Sequence, residues 1–215
     1  DDANGVIYRI AYTGEAKKAE TAPTAPADVM EAQAKKSADV PLALKRPETE
    51  SEGKITVSTD AFSNNAAMPT RYSEYADGVS PALRWSAVPK AASYAIIMED
   101  PDASPLKPFV HWLAWNIPAT VTMLPEGLQE QLRLVEPEGV LQGRNTSGTH
   151  GYFGPKPPAG DKPHHYHIQV IALDSMIDLP PTSDRDALLA AMSGHVIGKG
   201  EVVGTYQQKI EPPKQ

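Results

Sequence analysis

From residue 54 onward, apolar positions recur mostly at the short spacing of strands. "SYAIIMED" (93–100) is apolar on both faces, the pattern of a central strand covered from two sides, and "VHWLAWNIP" (110–118) follows at a hairpin-like distance. "KITVST" opens the series at residue 54, and "HYHIQVIAL" and "EVVGTYQQ" read as two further strands near its end. Between these last two, "SDRDALLAAMSGHVIG" places Leu188, Leu189 and Met192 on one helical face, with Ser183 as the expected N-cap and Asp186 favouring the N-terminal dipole. Prolines, as in "FGPKPPAGDKP", predict long ordered loops and exclude those positions from ladders. The pattern predicts a mainly β domain with one late helix.

The first 52 residues depart from it. They hold eleven alanines and four prolines and include the low-complexity run "AKKAETAPTAPADV", which cannot bury enough apolar surface to offset its ordering entropy. Within them only "GVIYRIAY" has strand period, where Val6, Tyr8, Ile10 and Tyr12 alternate with Ile7, Arg9 and Ala11. A lone strand needs a sheet to join, either an edge of its own domain or a partner's by β-augmentation. The expected organisation is an extended tail over 1–52 with a partner-docking strand at 6–12, a domain over 53–208, and a short C-terminal tail over 209–215.

Charge and composition narrow the function classes. A net charge of -7 argues against nucleic acid as the main partner, since duplex binding needs a basic face. No run of about 18 apolar residues occurs, so no membrane-spanning helix is expected. The absence of cysteine removes disulfide frameworks, thiolate metal sites and thiol nucleophiles. The chain opens Asp1-Asp2-Ala3 without an initiator Met, giving the expectation of an exported protein, periplasmic or secreted, with the cytoplasm as the alternative. Nucleotide, dinucleotide and serine-elbow motifs are absent, and no cofactor is called for.

Three pieces carry polar groups that a purely structural reading does not need. "EDPDASP" ends the most apolar strand in Asp100, and Pro101 sets a stiff corner before Asp102. His111 stands beside Trp112 at the start of another apolar strand. "GDKPHHYHIQVIAL" concentrates half of the chain's six histidines where a loop enters a strand. Strand alternation divides this cluster: His164 and Tyr166 point to one face, His165 and His167 to the other, where a solvated surface is expected. Imidazole and phenol donors on one face beside a Gly/Pro-rich loop suit an anion. A zinc site would need three or four ligands, and nothing at metal-site spacing completes the set.

In succession, "SPALRWSAVPKAASYAIIMEDPDA", "VHWLAWNIP", "GRNTSGTHGYFGPKPPAGDKPHHYHIQVIALD" and "LLAAMSGHVIGKGEVVGTY" resemble the phosphatidylethanolamine-binding protein family, in its bacterial Raf-kinase-inhibitor-like branch, over residues 54 to 207. The resemblance implies an antiparallel β-sandwich with a small pocket for phosphate and phosphorylated head groups. It places Asp100, Pro101 and Asp102 on the first family motif, with Asp100 at the pocket, and His111 on the pocket histidine. His164, His165 and Tyr166 fall on the second motif, with His164 and Tyr166 lining the pocket, and Gly154 and Pro155 fall on the neighbouring loop. His165 stands where the family usually has Arg, which puts the outward salt bridge of that Arg in doubt.

The expected function is a non-enzymatic binding protein for a small anion or phospholipid head group, with regulation or inhibition of a protein partner implied by analogy alone. Two imidazoles and a phenol would supply the donors, and Asp100 would keep a neighbouring imidazole charged. The alternative is a structural accessory subunit of an exported assembly, anchored by the N-terminal tail.

Overall fold

A computed structural model describes residues 41–103 and 108–209. The expected docking strand at Val6, Tyr8, Ile10 and Tyr12 lies outside them. Among the described residues, nine strands and one α-helix run in the order β1 (Val57–Ser58), β2 (Ala66–Ala67), β3 (Leu83–Trp85), β4 (Ser93–Asp100), β5 (Phe109–Pro118), β6 (Met123–Leu124), β7 (Leu141–Gln142), β8 (His164–Leu173), α1 (Arg185–Met192) and β9 (Val196–Tyr206). They form a six-stranded sheet, β2-β9-β8-β4-β5-β7, and a three-stranded one, β1-β3-β6.

The domain is mainly β with one helix, as the apolar pattern predicts, but the two sheets are unequal and the larger is mixed. β2 runs parallel to β9, with Ala66 opposite Gly204, so the sheet is not purely antiparallel. "KITVST" is not one strand. Its start bridges to Lys199 of the large sheet, while only Val57–Ser58 pair with β3 of the small one, so the segment crosses between sheets. It can approach so closely because position 200 is glycine: a Cβ there would stand 1.9 Å from the Ile55 carbonyl oxygen.

β4 is buried along its whole length, and its two faces enter different cores. Tyr94, Ile96 and Met98 pack with Leu83, Trp85 and Leu124 of the small sheet and with Ile168 and Val170 of β8. Ala95 and Ile97 face the other way, onto Leu188, Leu189 and Met192 of α1. The helix is shorter than the sequence pattern suggests. Asp184, not Ser183, caps it by accepting from the Ala187 N–H at 3.0 Å, and Gly194 at φ 83° follows its end. The Ser183 carbonyl instead accepts from the Arg144 N–H.

The packed chain also begins earlier than residue 53, where composition puts the domain boundary. Pro41–Thr49 crosses the α1 side of the sheet as two short 3-10 turns, Ala43–Lys45 and Pro47–Thr49, with Leu42, Ala43 and Thr49 buried. Its backbone is held by side chains. The Glu99 carboxylate accepts from the Ala43 N–H at 2.7 Å, the Gln169 Oε1 from the Leu44 N–H at 2.8 Å, and Arg185 Nη2 donates to the Pro41 carbonyl at 3.0 Å. Arg185 Nε also donates to Glu99, and Gln169 Nε2 donates to the same carboxylate at 2.7 Å. Composition misses this strap because its affinity comes from buried polar groups supplied elsewhere in the chain, not from its own apolar content.

A buried carboxylate stripped of its cation is costly, whereas an apolar replacement of the whole pair is often tolerated. Arg185→Leu should therefore lower stability by about 3–5 kcal/mol in urea unfolding, and adding Glu99→Gln should recover part of the loss.

Candidate functional site

The even-numbered face of β4 ends at Asp100, one position beyond the apolar cover of Met98, so its carboxylate stands at the rim of the core. β8 runs antiparallel beside β4 and opens with His164 and Tyr166 on the same side. His164 Nδ1 lies 2.8 Å from Asp100 Oδ2, with both side chains almost fully buried. Burial works against a charged imidazole here, but the bond to Asp100 and the fields of Asp100, Asp102 and Asp161 outweigh it and raise the His164 pKa.

His111 reaches this face through a bulge. Met98 pairs with Trp112 and Glu99 with Val110, so β5 has one extra residue, His111, at this point. Uninterrupted alternation would turn His111 toward the α1 side with Leu113 and Trp115. The bulge instead brings its ring edge-on to Tyr166, with centroids 5.1 Å apart, and 4.7 Å from the Phe109 ring. His111 Nδ1 meets the Phe153 carbonyl at 2.6 Å, which assigns the ring proton to that nitrogen. Complete burial depresses its pKa to about 4, so this imidazole is neutral at ordinary pH. Of the two imidazoles expected to supply donors, His164 is the one whose charged form Asp100 favours.

Tyr166 is fully buried, and its hydroxyl makes no hydrogen bond of ordinary geometry. Burial and the nearby Asp100 carboxylate raise its pKa strongly, so the phenol keeps its proton and remains a donor.

These groups line a cleft of ≈ 410 Å³, with Asp100, His111, His164 and Tyr166 joined by the aromatic rings of Phe109 and Phe153 and the charged groups of Lys156 and Asp161. Asp102 also borders it, but its carboxylate is turned away. Asp102 Oδ2 accepts from both the backbone N–H of His165 and its Nδ1, each at 2.9 Å, and Lys162 Nζ stands 3.9 Å from Oδ1. Burial opposes its charge, but these partners hold its pKa below the ordinary carboxylate value. The substitution of His for Arg at 165 therefore keeps an outward link to the Asp-Pro-Asp corner. The histidine cluster does not converge: the Nδ1 atoms of His164, His165 and His167 meet Asp100, Asp102 and Glu201 respectively.

Gly154 and Pro155 are not on the cleft wall; they anchor it. The Gly154 N–H donates to Glu74 Oε1 at 2.8 Å, the Glu74 N–H donates to the Pro155 carbonyl at 3.0 Å, and Tyr75 Oη donates to the Pro157 carbonyl at 2.7 Å. Only glycine fits at 154, since a Cβ would stand 2.4 Å from the Tyr72 carbonyl oxygen. This bracing positions Phe153 and Lys156, neither of which was singled out from sequence although both stand in the quoted loop. Asp161 was also missed, and its signal was its position three residues before His164.

Together these features describe a mainly β domain with an aromatic-walled cleft that holds a carboxylate–imidazole pair and a buried phenol. Residues 58–207 match the family model described as phosphatidylethanolamine-binding protein. A UPF0098 protein of Pyrococcus horikoshii is 43% identical over 152 residues, covering 70% of this chain and 76% of that protein. One from Methanothermobacter thermautotrophicus is 41% identical, covering 72% of this chain and 99% of its own length. Among solved structures, Escherichia coli YbcL, described as a new member of the mammalian PEBP family, superposes with a TM-score of 0.67 at 32% identity, over 74% of this chain and all of that one. A Chlamydia trachomatis homologue gives 0.65 at 33% identity, over 73% and 99%. The chain belongs to the phosphatidylethanolamine-binding protein family.

His111 gives the site a pH signature. An unfolded histidine takes up its proton near pH 6.5 and the folded one only near 4, so between these values the unfolded chain binds more protons. Stability should fall as pH drops from about 6.5 to about 4, by at most about 3 kcal/mol from this residue. His164 does not mask this, because its raised pKa places its own loss of stability above pH 6.5. In urea titrations across the window, His111→Phe should show a correspondingly smaller fall than the parent.

Proposed function

We propose that this chain is a non-enzymatic binding protein that takes a small phosphate-bearing ligand, such as a phosphorylated head group, in the cleft between His164 and Tyr166. The observation that carries this reading is the Tyr166 hydroxyl: buried on the wall of the cleft near Asp100, with no hydrogen bond of ordinary geometry, beside an imidazole whose charged form Asp100 favours. An unsatisfied buried hydroxyl costs roughly 1–3 kcal/mol, and an acceptor oxygen arriving in the cleft would remove that cost. The charged N–H of His164 and the ammonium of Lys156 suit the same oxygen-rich anion. The raised His164 pKa disfavours the neutral form that a base requires, which supports binding rather than catalysis at that residue. The family name points to the same class of ligand.

The test is isothermal titration with O-phosphoethanolamine at pH 6 on the parent, His164→Ala and Tyr166→Phe. The parent should bind, and His164→Ala should lose most of that affinity. Affinity of the parent should persist past pH 6.5 and decline only as pH passes the raised His164 value. Absence of heat in all three proteins, or equal binding by all three, would overturn the reading.

Tyr166→Phe should separate function from stability. Removing a hydroxyl that makes no hydrogen bond of ordinary geometry should leave unfolding free energy unchanged or about 1 kcal/mol higher, while affinity for the phosphate compound drops about tenfold or more. A variant that instead loses stability and keeps its affinity would show that the hydroxyl serves the fold.

A further inference from the structure

Four main-chain groups of the strap at 41–49 are read by four side chains of the domain. The Pro41 carbonyl accepts from Arg185 Nη2, the Ala43 N–H donates to Glu99, the Leu44 N–H donates to Gln169 Oε1, and the Leu44 carbonyl accepts from Lys199 Nζ at 2.9 Å. These readers come from α1, β4, β8 and β9 in turn, so the receiving face is assembled by the sheet and its helix together. Leu42 and Ala43 are buried on it, Ala43 completely, so that position calls for a small residue. Such a face recognises the main chain of a peptide, with side-chain selection confined to an apolar residue followed by a small one.

The strap is organised by its own contacts. Thr49 Oγ1 donates to the Ala43 and Arg46 carbonyls at 2.6 and 3.1 Å, the Arg46 N–H donates to the Ala43 carbonyl at 3.1 Å, and Arg46 pairs with Glu48 at 2.8 Å. A polar tether of Glu50, Ser51 and Glu52 joins it to Gly53, whose carbonyl accepts from the Lys199 N–H at 3.0 Å. The receiving side chains also complete one another. Arg185 Nε and Gln169 Nε2 donate to separate oxygens of Glu99, so the carboxylate keeps both donors when no strap lies on it.

A self-organised segment, a short polar tether and a receiving face satisfied without the segment are the parts of a ligand and its site. We propose that the α1 side of the large sheet is a peptide-docking site, with 41–49 as its resident ligand held in cis by the tether. When the resident strap is disengaged, the site takes a separate peptide of the same pattern: an apolar residue, a small residue and a following N–H, closed into a turn by a threonine.

The test follows the fluorescence anisotropy of a labelled peptide, PLALKRPET, with the full-length parent, Ala43→Pro and Thr49→Val, neither of which alters a receiving side chain. Ala43→Pro removes the N–H that the strap gives to Glu99, at a 3-10 position whose extended predecessor, Leu42 at ψ 158°, suits proline. Thr49→Val removes the hydroxyl that closes the strap. The tether gives the resident strap an effective concentration on the order of mM, so the parent should take up the peptide only near that range. Loss of one hydrogen bond to a carboxylate should let Ala43→Pro bind the peptide about tenfold or more tightly than the parent, and Thr49→Val should shift the same way. Adding Lys199→Met to Ala43→Pro should reverse most of the gain, and the peptide PLPLKRPET should bind about tenfold more weakly throughout. No gain in either variant, a gain that Lys199→Met leaves untouched, or equal binding of the two peptides overturns the docking site. Loss of the whole domain's cooperative unfolding in both variants also overturns it, because the strap would then be part of the core.

Discussion

Two consecutive carboxylates at the end of a fully buried strand set the terms for the rest of the molecule. Glu99 and Asp100 leave β4 on opposite faces, and neither is exposed by more than 1%. Each needs a cationic or hydrogen-bonding partner on its own side. On the α1 side, Arg185, Gln169 and the Ala43 N–H converge on Glu99, and so a helix, a neighbouring strand and the strap at 41–49 are drawn to one point. On the cleft side, His164 answers Asp100, which favours its charged form. The same short stretch of sequence thus produces a structural tie on one face and a cleft-lining carboxylate–imidazole pair on the other.

The cleft depends equally on a backbone irregularity. Without the extra residue at His111, β5 would direct that imidazole into the α1-side core and leave the aromatic wall incomplete. A second bulge follows at Asn116, in left-handed conformation at φ 60°, whose side-chain amide exchanges hydrogen bonds with the backbone of Ile177. Two changes of parity in one ten-residue strand let β5 serve both cores in turn: Trp112, Ala114 and Ile117 pack with the small sheet, and Leu113 and Trp115 with the helix. Local departures from period 2 therefore decide which residues meet in the site.

This explains which features were legible in the sequence. Strands β4, β5 and β8 were readable to within a residue because long apolar runs flanked by turn residues admit little else. The division of the histidines was readable because it needs only alternation, and His164 and Tyr166 do share a buried face while His165 is exposed. Short strands such as β2, β6 and β7 were not, since two residues of ladder carry no period. The strap at 41–49 was hidden for a different reason: its partners are Glu99, Gln169 and Arg185, which are remote in sequence and polar, so neither composition nor hydrophobic pattern points to them. Asp161 and Lys156 escaped for a similar reason, because a loop residue acquires a role only once the loop has been folded over the site. Recognition of the family carried Asp100, Asp102, His111, His164 and Tyr166 to the cleft, yet only the geometry separates the donors that face it from Asp102, which is turned to His165.

The energetics of the cleft are those of a site organised ahead of its ligand. A neutral His111 held in apolar surroundings and a buried phenol with no hydrogen bond of ordinary geometry are each unfavourable to the folded chain taken alone. The surrounding structure tolerates them because β4, β5 and β8 are buried on both faces over much of their length, and because Glu74 and Tyr75 brace the wall loop from behind. A rigid scaffold that keeps donors pointed at the cleft spares a ligand the cost of ordering them, so affinity rests on few contacts.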